Sequence, residues 1–208
     1  MRDTRNIIAE QAQRILNGGT PIPDTEVKVE ELEIYVDQAF SKYIKNSWFE
    51  NKNEGSDYVN GTFIYSFVSP VDTDTIRNRK YAKIPSTYVN LPNGIGLYQV
   101  SPTQDEFNSF IPVNANFLAM TSGLPVGNME GRKGYFVENT KIYFVNIPDE
   151  YCFDNVLIKL VGGIQADDDQ DIDISSDMQA DLVAMTVELY KMQQMSPKDY
   201  VIDNNKQS

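Results

Sequence analysis

The hydrophobic period of this chain changes twice, and that change constrains the fold more than any single motif. In residues 3–16, Ile7, Ile8, Ala12, Ile15 and Leu16 recur at helical spacing, and Gly18-Gly19 followed by Pro21 and Pro23 supplies a stop. Val29, Leu32, Val36, Ala39 or Phe40, and Tyr43 then repeat every three or four positions, which predicts a second amphipathic helix over about 25–48. Beyond the polar stretch Asn51-Lys52-Asn53-Glu54-Gly55-Ser56 the chain becomes rich in Tyr, Phe, Val, Ile and Thr with Pro and Gly punctuation. Strands are expected over 61–68, 82–89, 96–100, 110–120, 134–138, 141–146 and 156–160, with a hairpin at Asn139-Thr140. Helical period returns after Ser176, where Ser176 and Gln179 match a capping box and Asp177 and Asp181 favour the positive end of a helix dipole. That helix displays Met178, Leu182, Met185, Leu189 and Met192, is widened by Val183, Ala184, Val187 and Tyr190, and ends before Pro197.

The expected fold is therefore α+β: an N-terminal helical pair and a C-terminal helix flanking an antiparallel β sandwich or partly open barrel. Its parts are residues 1–50, a β-domain over 51–165, and an acidic linker, helix and tail over 166–208. No internal repeat or low-complexity segment interrupts this plan.

Charge and composition narrow the chemistry. Thirty acidic residues stand against 18 basic ones, a formal net charge of −12, and there is no histidine. Without imidazole, no Ser-His-Asp triad, Cys-His dyad or His-based metal site can form. A chain of this charge is repelled by phosphates, which disfavours a free-standing DNA or anionic-membrane binder. Thirteen acidic and 4 basic residues fall between Val145 and Ser208, so the excess is concentrated in the last third. One cysteine, Cys152, excludes an intramolecular disulfide and fits a reducing compartment. No run approaches the ~18 apolar residues of a membrane span, and the charges within residues 1–16 do not read as a signal peptide.

Each candidate site has a simpler reading. Asp167, Asp169, Asp171 and Asp173 alternate like a calcium loop, but the places that need Gly and Glu hold Ile172 and Met178, so the run reads as a solvated linker. The pairs Asp105-Glu106 and Asp149-Glu150 read as solvated loop acids rather than the two carboxylates of a glycosidase. Asn93-Gly94-Ile95-Gly96 and Gly127-Asn128-Met129-Glu130-Gly131 lack the Lys-Ser/Thr of a P-loop and read as turns. Cys152, between Tyr151 and Phe153, reads as a small buried side chain rather than a nucleophile, since the chain has no histidine to activate it. Arg77, Arg79, Lys80 and Lys83 form the one dense basic cluster, a solvated strand edge or a surface for an acidic neighbour such as DNA or another subunit's Asp-rich segment. The seam Met178, Leu182, Met185, Leu189 and Met192 reads as core, above all at Leu182, Met185 and Leu189; the alternative, left open by the extra apolar width, is that the helix packs partly against a neighbouring chain.

The whole layout resembles the head-to-tail adaptor, or neck ring, proteins of short-tailed bacteriophages, including crAss-like phages and the tubular tail protein A type. The resemblance lies in the N-terminal helical pair, the β-domain rich in Tyr, Phe and Asn, the passage Leu91-Pro92-Asn93-Gly94-Ile95-Gly96-Leu97-Tyr98, and the closing helix running into Met195-Ser196-Pro197-Lys198-Asp199-Tyr200 and Asp203-Asn204. It implies a non-enzymatic virion protein without cofactor or metal, made in the host cytoplasm and built into the neck. It further implies a homo-oligomeric ring, commonly of twelve subunits, that joins the portal to other neck or tail proteins and lets genomic DNA pass without specific binding. The expected oligomer interface draws on Met178, Leu182, Met185, Leu189 and Met192 and on Arg77, Arg79 and Lys80. The other expectation is a carbohydrate- or receptor-binding virion module, carried by the Tyr-rich β-domain; a carboxylate-dependent hydrolase using Asp105, Glu106, Asp149 and Glu150 is the third.

Overall fold

The computed structural model describes residues 4–19, 27–114, 133–148, 151, 153–162 and 174–195. The chain divides into two units, one of residues 1–43 with 169–208 and the other of residues 44–168.

The first unit is helical. α1 (Thr4–Leu16) buries Ile8, Ala9 and Ala12 and leaves Ile15 exposed. Its end is a Schellman motif, with the Gly19 N–H donating to the Arg14 carbonyl and the Gly18 N–H to that of Ile15, both glycines at positive φ. α2 (Val29–Asn53) starts later than its period predicts and ends five residues beyond Trp48. The polar stretch after Asn51 is thus partly the last helical turn. Only at Gly55 (φ 85°) does the same motif recur, with the Ser56 N–H bonded to the Asn51 carbonyl and the Gly55 N–H to that of Lys52. α3 (Ser176–Met195) has Ser175 as its N-cap, one residue before the expected Ser176. The Ser175 hydroxyl accepts from the Met178 N–H, whereas the Gln179 amide donates to Gln11 Oε1 instead of reaching back.

Leu32, Val36, Ala39 and Phe40 of α2 and Met178, Leu182, Val183, Val187 and Tyr190 of α3 are buried. Tyr35 meets Tyr190 edge to face at 5.6 Å and donates to Gln193 Oε1. Arg5 pairs with Asp37 at 3.0 Å and Lys42 with Glu188 at 3.5 Å. The buried set on α3 lies about 100° round the helix from the middle of the 178/185/192 seam, because Val183, Thr186, Val187 and Tyr190 carry the packing.

Among the described residues the second unit is a seven-stranded, mixed, nearly closed barrel, together with the end of α2, where Ile44 and Trp48 are buried. Its strands are β1 (Ile64–Asp74), β2 (Arg79–Lys83), β3 (Leu97–Pro102), β4 (Ile111–Pro112), β5 (Gly134–Glu138), β6 (Lys141–Val145) and β7 (Asn155–Val161), in the order β3-β7-β1-β2-β6-β5-β4. The Phe110 N–H donates to the Val100 carbonyl at 2.8 Å, linking the chain just before β4 to β3 and drawing the two ends of the sheet together. The core lies inside, around Val100, Phe110, Ile142, Phe144, Phe153, Val156, Ile158 and Leu160.

β1 exceeds its expected length because it serves two partners, β7 up to Pro70 and β2 from Val71. Pro70, which has no N–H to give, stands at the handover. β2 occupies 79–83, so most of the strand expected over 82–89 is a connection. The expected hairpin is present, with Glu138 opposite Lys141 and Asn139 in the left-handed region. The strand expected over 110–120 is reduced to Ile111–Pro112 within the described residues, and it pairs with β5 in parallel rather than antiparallel fashion.

Candidate functional site

The outer face of β1, β2, β6 and β5 places Asp72, Tyr81, Tyr143 and Phe136 in one cross-strand row. Phe136 stacks on Tyr143 (5.3 Å, 16°), and Tyr143 meets Tyr81 at 5.8 Å. The basic cluster lies on these rings. The Arg77 guanidinium sits 5.1 Å from the Tyr143 ring, that of Arg79 5.9 Å from Phe136, and Lys141 Nζ 4.3 Å from Tyr81. Lys80 points to the other side of β2, 5.0 Å from the Phe153 ring and 3.5 Å from the Tyr151 carbonyl.

Arg77 also grips Glu138 through both terminal guanidinium nitrogens, Nη1 and Nη2. Asp74 closes the tip of the β1–β2 hairpin: its Oδ1 accepts from the Ile76 and Arg77 N–H groups and its Oδ2 from the Tyr143 hydroxyl. The Arg77 N–H bond is the chief cause holding the Asp74 carboxyl below its ordinary value, and the Arg77 side chain does the same for Glu138. Arg77 is therefore engaged within its own chain, and an acidic segment of another subunit would have to displace Glu138 to reach it.

A second pinned turn follows β3. Lys159 pairs with Glu106 at 2.5 Å, Gln99 Nε2 donates to the Glu106 carbonyl at 2.7 Å, and the Asn108 amide donates to the Asp105 carboxylate. The pair Asp105-Glu106 thus fastens a loop. The two pinned turns carry Ile76 and Phe107, which are 95% and 100% exposed. β1 and β3 both run antiparallel to β7, so both turns lie at the same end of the barrel. Neither residue belongs to a motif or a hydrophobic period in the sequence. The available signal was a single large apolar side chain inside an otherwise polar turn, which has no period to reveal it.

In the helical unit, Met178 and Leu182 are core residues of the chain itself, Met185 and Leu189 are half-buried, and Met192 is 54% exposed. Val183, Val187 and Tyr190 are buried as the widened sector requires, but Ala184 is exposed. Met192, with the flanks of Met185 and Leu189, is the part of the seam presented outward.

Of the glycine turns, Gly94 (φ 74°) is one, whereas Gly96 is demanded by close packing: a Cβ there would lie 2.3 Å from the Val89 carbonyl oxygen and 2.8 Å from the Tyr88 ring. Asp149-Glu150, Cys152, the glycines at 127 and 131 and the acidic run 167–173 lie outside the described residues. Among the described residues no group of three or more Cys, Asp or Glu is placed to hold a metal ion, and no helix is long and apolar enough to cross a membrane. No protein-family model matches the chain, and no curated protein matches it in sequence.

Proposed function

We propose that this chain is a structural subunit of a bacteriophage head-to-tail connector, assembling as a homo-oligomeric ring between the portal and the tail and surrounding the path of the genomic DNA. The observation that carries this reading is the pair of exposed apolar side chains, Ile76 and Phe107, each on a turn fastened by side-chain bonds and both at one end of the barrel. A large apolar side chain gains roughly 1.5–3 kcal/mol when it is fully buried. Two such anchors on rigid supports are suited to insertion into pockets of a partner. In a ring they recur in every subunit, so weak individual contacts add through avidity.

The helical unit supports the same reading with Met192, Ile15 and Ile34, large apolar side chains exposed on three different helices. The resemblance to neck ring proteins supplies the location. The excess of acid over base suits a channel wall along which DNA slides without adhering.

Light scattering on the concentrated full chain, alone and mixed with its purified portal, tests the assembly. The reading expects a mass of about a dozen protomers and annular particles in negative stain in at least one of the two samples. A strict monomer in both contradicts it.

A further inference from the structure

A cleft of about 500 Å³ opens on the barrel unit, lined by residues 84–88 of the connection after β2 on one side and by Asn139 and Thr140 of the β5–β6 turn on the other. Its polar groups are already committed. The Ile84 N–H donates to the Thr140 carbonyl at 2.9 Å and the Ser86 hydroxyl to the Thr87 carbonyl at 3.2 Å, while Tyr88 packs against the barrel core. The surface left open to an occupant is mainly apolar. An apolar side chain can therefore enter without stripping a polar group of its partner. The Val89 N–H, bonded to the Val161 carbonyl at 2.9 Å, anchors the far end of the wall, so the cleft is formed in advance.

The mouth of the cleft is basic. Lys83 directly precedes it, Lys141 directly follows Thr140, and the two stand opposite each other across β2 and β6. Like charges so placed repel. Lys141 is seated on the Tyr81 ring and faces Glu138 on its other side, but Glu138 is already bonded to Arg77. Lys83 is exposed and forms no ion pair among the described residues, with Asp72 set diagonally from it across β1 and β2. Lys83, Lys141 and Arg77 thus outnumber Glu138 and Asp72, in a chain whose total charge is −12. An apolar hole with a cationic mouth fits an apolar side chain flanked by carboxylates.

This chain presents such a side chain on the turn after β3. Phe107 is fully exposed and follows Asp105 and Glu106. Bonds from Lys159, Gln99 and Asn108 hold the turn rigid, yet the two carboxylates keep further acceptor positions and meet a single ammonium, that of Lys159. Within one chain the turn and the cleft are kept apart. The turn is tied to β3 and β7, whereas β2 and β6 flank the cleft on the far side of β1 in the sheet order. The end of β2 also points away from the end at which β1 and β3 finish. A knob and a hole on different faces of one rigid body join copies head to tail, and such contacts close into a ring when the rotation permits.

From this pairing we infer that the Asp105-Glu106-Phe107 turn of one copy docks in the cleft of the next, with Phe107 between residues 84–88 and the Asn139-Thr140 turn and the two acids against Lys83 and Lys141. The inference rests on the ring reading and gives the ring a direction, with a copy of this chain as the neighbour that receives Phe107.

The test is site-directed cross-linking of the full chain, in a Cys152→Ser background, alone and mixed with purified portal. Gln104→Cys beside the knob and Thr140→Cys at the cleft, combined in one chain and treated with a short bismaleimide, should give a ladder of dimers, trimers and higher multiples on a denaturing gel. Either change alone should give none. In sedimentation velocity, Phe107→Ser should weaken self-association at least about tenfold, and Lys83→Glu with Lys141→Glu should do the same. Phe107 is exposed, so its replacement leaves the fold intact and decides the matter even if the double lysine variant does not fold. Annular particles without the ladder overturn the inference and leave the ring reading standing. A strict monomer with no ladder in either sample overturns both. Self-association unchanged by Phe107→Ser, or cross-linking of the Thr140→Cys site to the portal in place of a copy, overturns the inference alone.

Discussion

Gly162→Ala probes the point where the end of β7, the connection before β3 and the second half of α2 come together. Gly162 has φ 61°, and a Cβ there would lie 2.7 Å from Ile44 Cδ1 and 2.7 Å from Val89 Cγ2. The left-handed backbone costs an L-residue roughly 1–2 kcal/mol. Forcing a methyl between two seated side chains costs a further ~1–3 kcal/mol. The sum is about 2–5 kcal/mol, a large part of a marginal stability. Gly94→Ala is the control within the same unit: its φ is 74° and nothing lies within 4 Å of its Cβ position, so it pays the backbone cost alone. Urea unfolding followed by fluorescence of Trp48, the chain's single tryptophan and a buried residue of the barrel unit, reports both variants. Gly162→Ala should fall below Gly94→Ala by about 1–3 kcal/mol. Equal losses would refute the packing of Ile44 and Val89 on Gly162.

Tyr135 is buried in the barrel core, and burial, reinforced by Tyr88, pushes its phenol up to about 12. The folded value lies above the unfolded one, so this residue's contribution is full below about pH 10 and is lost as pH rises from there through about 12. Tyr135→Phe should shift the alkaline unfolding midpoint upward, as followed by circular dichroism, and an unchanged midpoint would refute that environment. Asp74 and Glu138 are depressed, so their contribution is present above their ordinary carboxylate values and is lost as pH falls through the lower folded ones. Acid titration by NMR should free the Ile76 and Arg77 amides to exchange with solvent in that window, and Glu138→Gln should loosen the same hairpin tip already at neutral pH. Replacing Ile76 and Phe107 together by Ser should leave the urea midpoint nearly unchanged, because both side chains are exposed, while abolishing co-sedimentation with purified neck or tail components. Undiminished co-sedimentation would remove these residues from the interface.

The helices were legible because their packing follows a local period. Ile8 and Ala12, Leu32 and Val36, and Met178 and Leu182 are all buried where spacing places them. Gly18-Gly19 and Gly55 mark helix ends through a backbone requirement that a side chain cannot meet. The β1–β2 hairpin was hidden because its turn contains neither Gly nor an internal Pro. The conformation instead depends on Asp74 accepting two N–H bonds and on Asn78 at φ 48°. The basic cluster was visible as charge, but its rings come from β5, β6 and the chain before β7, some sixty to seventy residues away in sequence. The contact between residues 84–88 and the Asn139-Thr140 turn needed tertiary information for the same reason, since Ile84 meets Thr140 only once β2 pairs with β6.

The most direct test of a connector role is imaging of the intact phage particle at a resolution that traces side chains. A connector role predicts a ring of copies of this chain between portal and tail, surrounding the DNA path, with Ile76 and Phe107 seated in a neighbouring protein. Finding the chain elsewhere in the particle, or absent from it, would contradict that role.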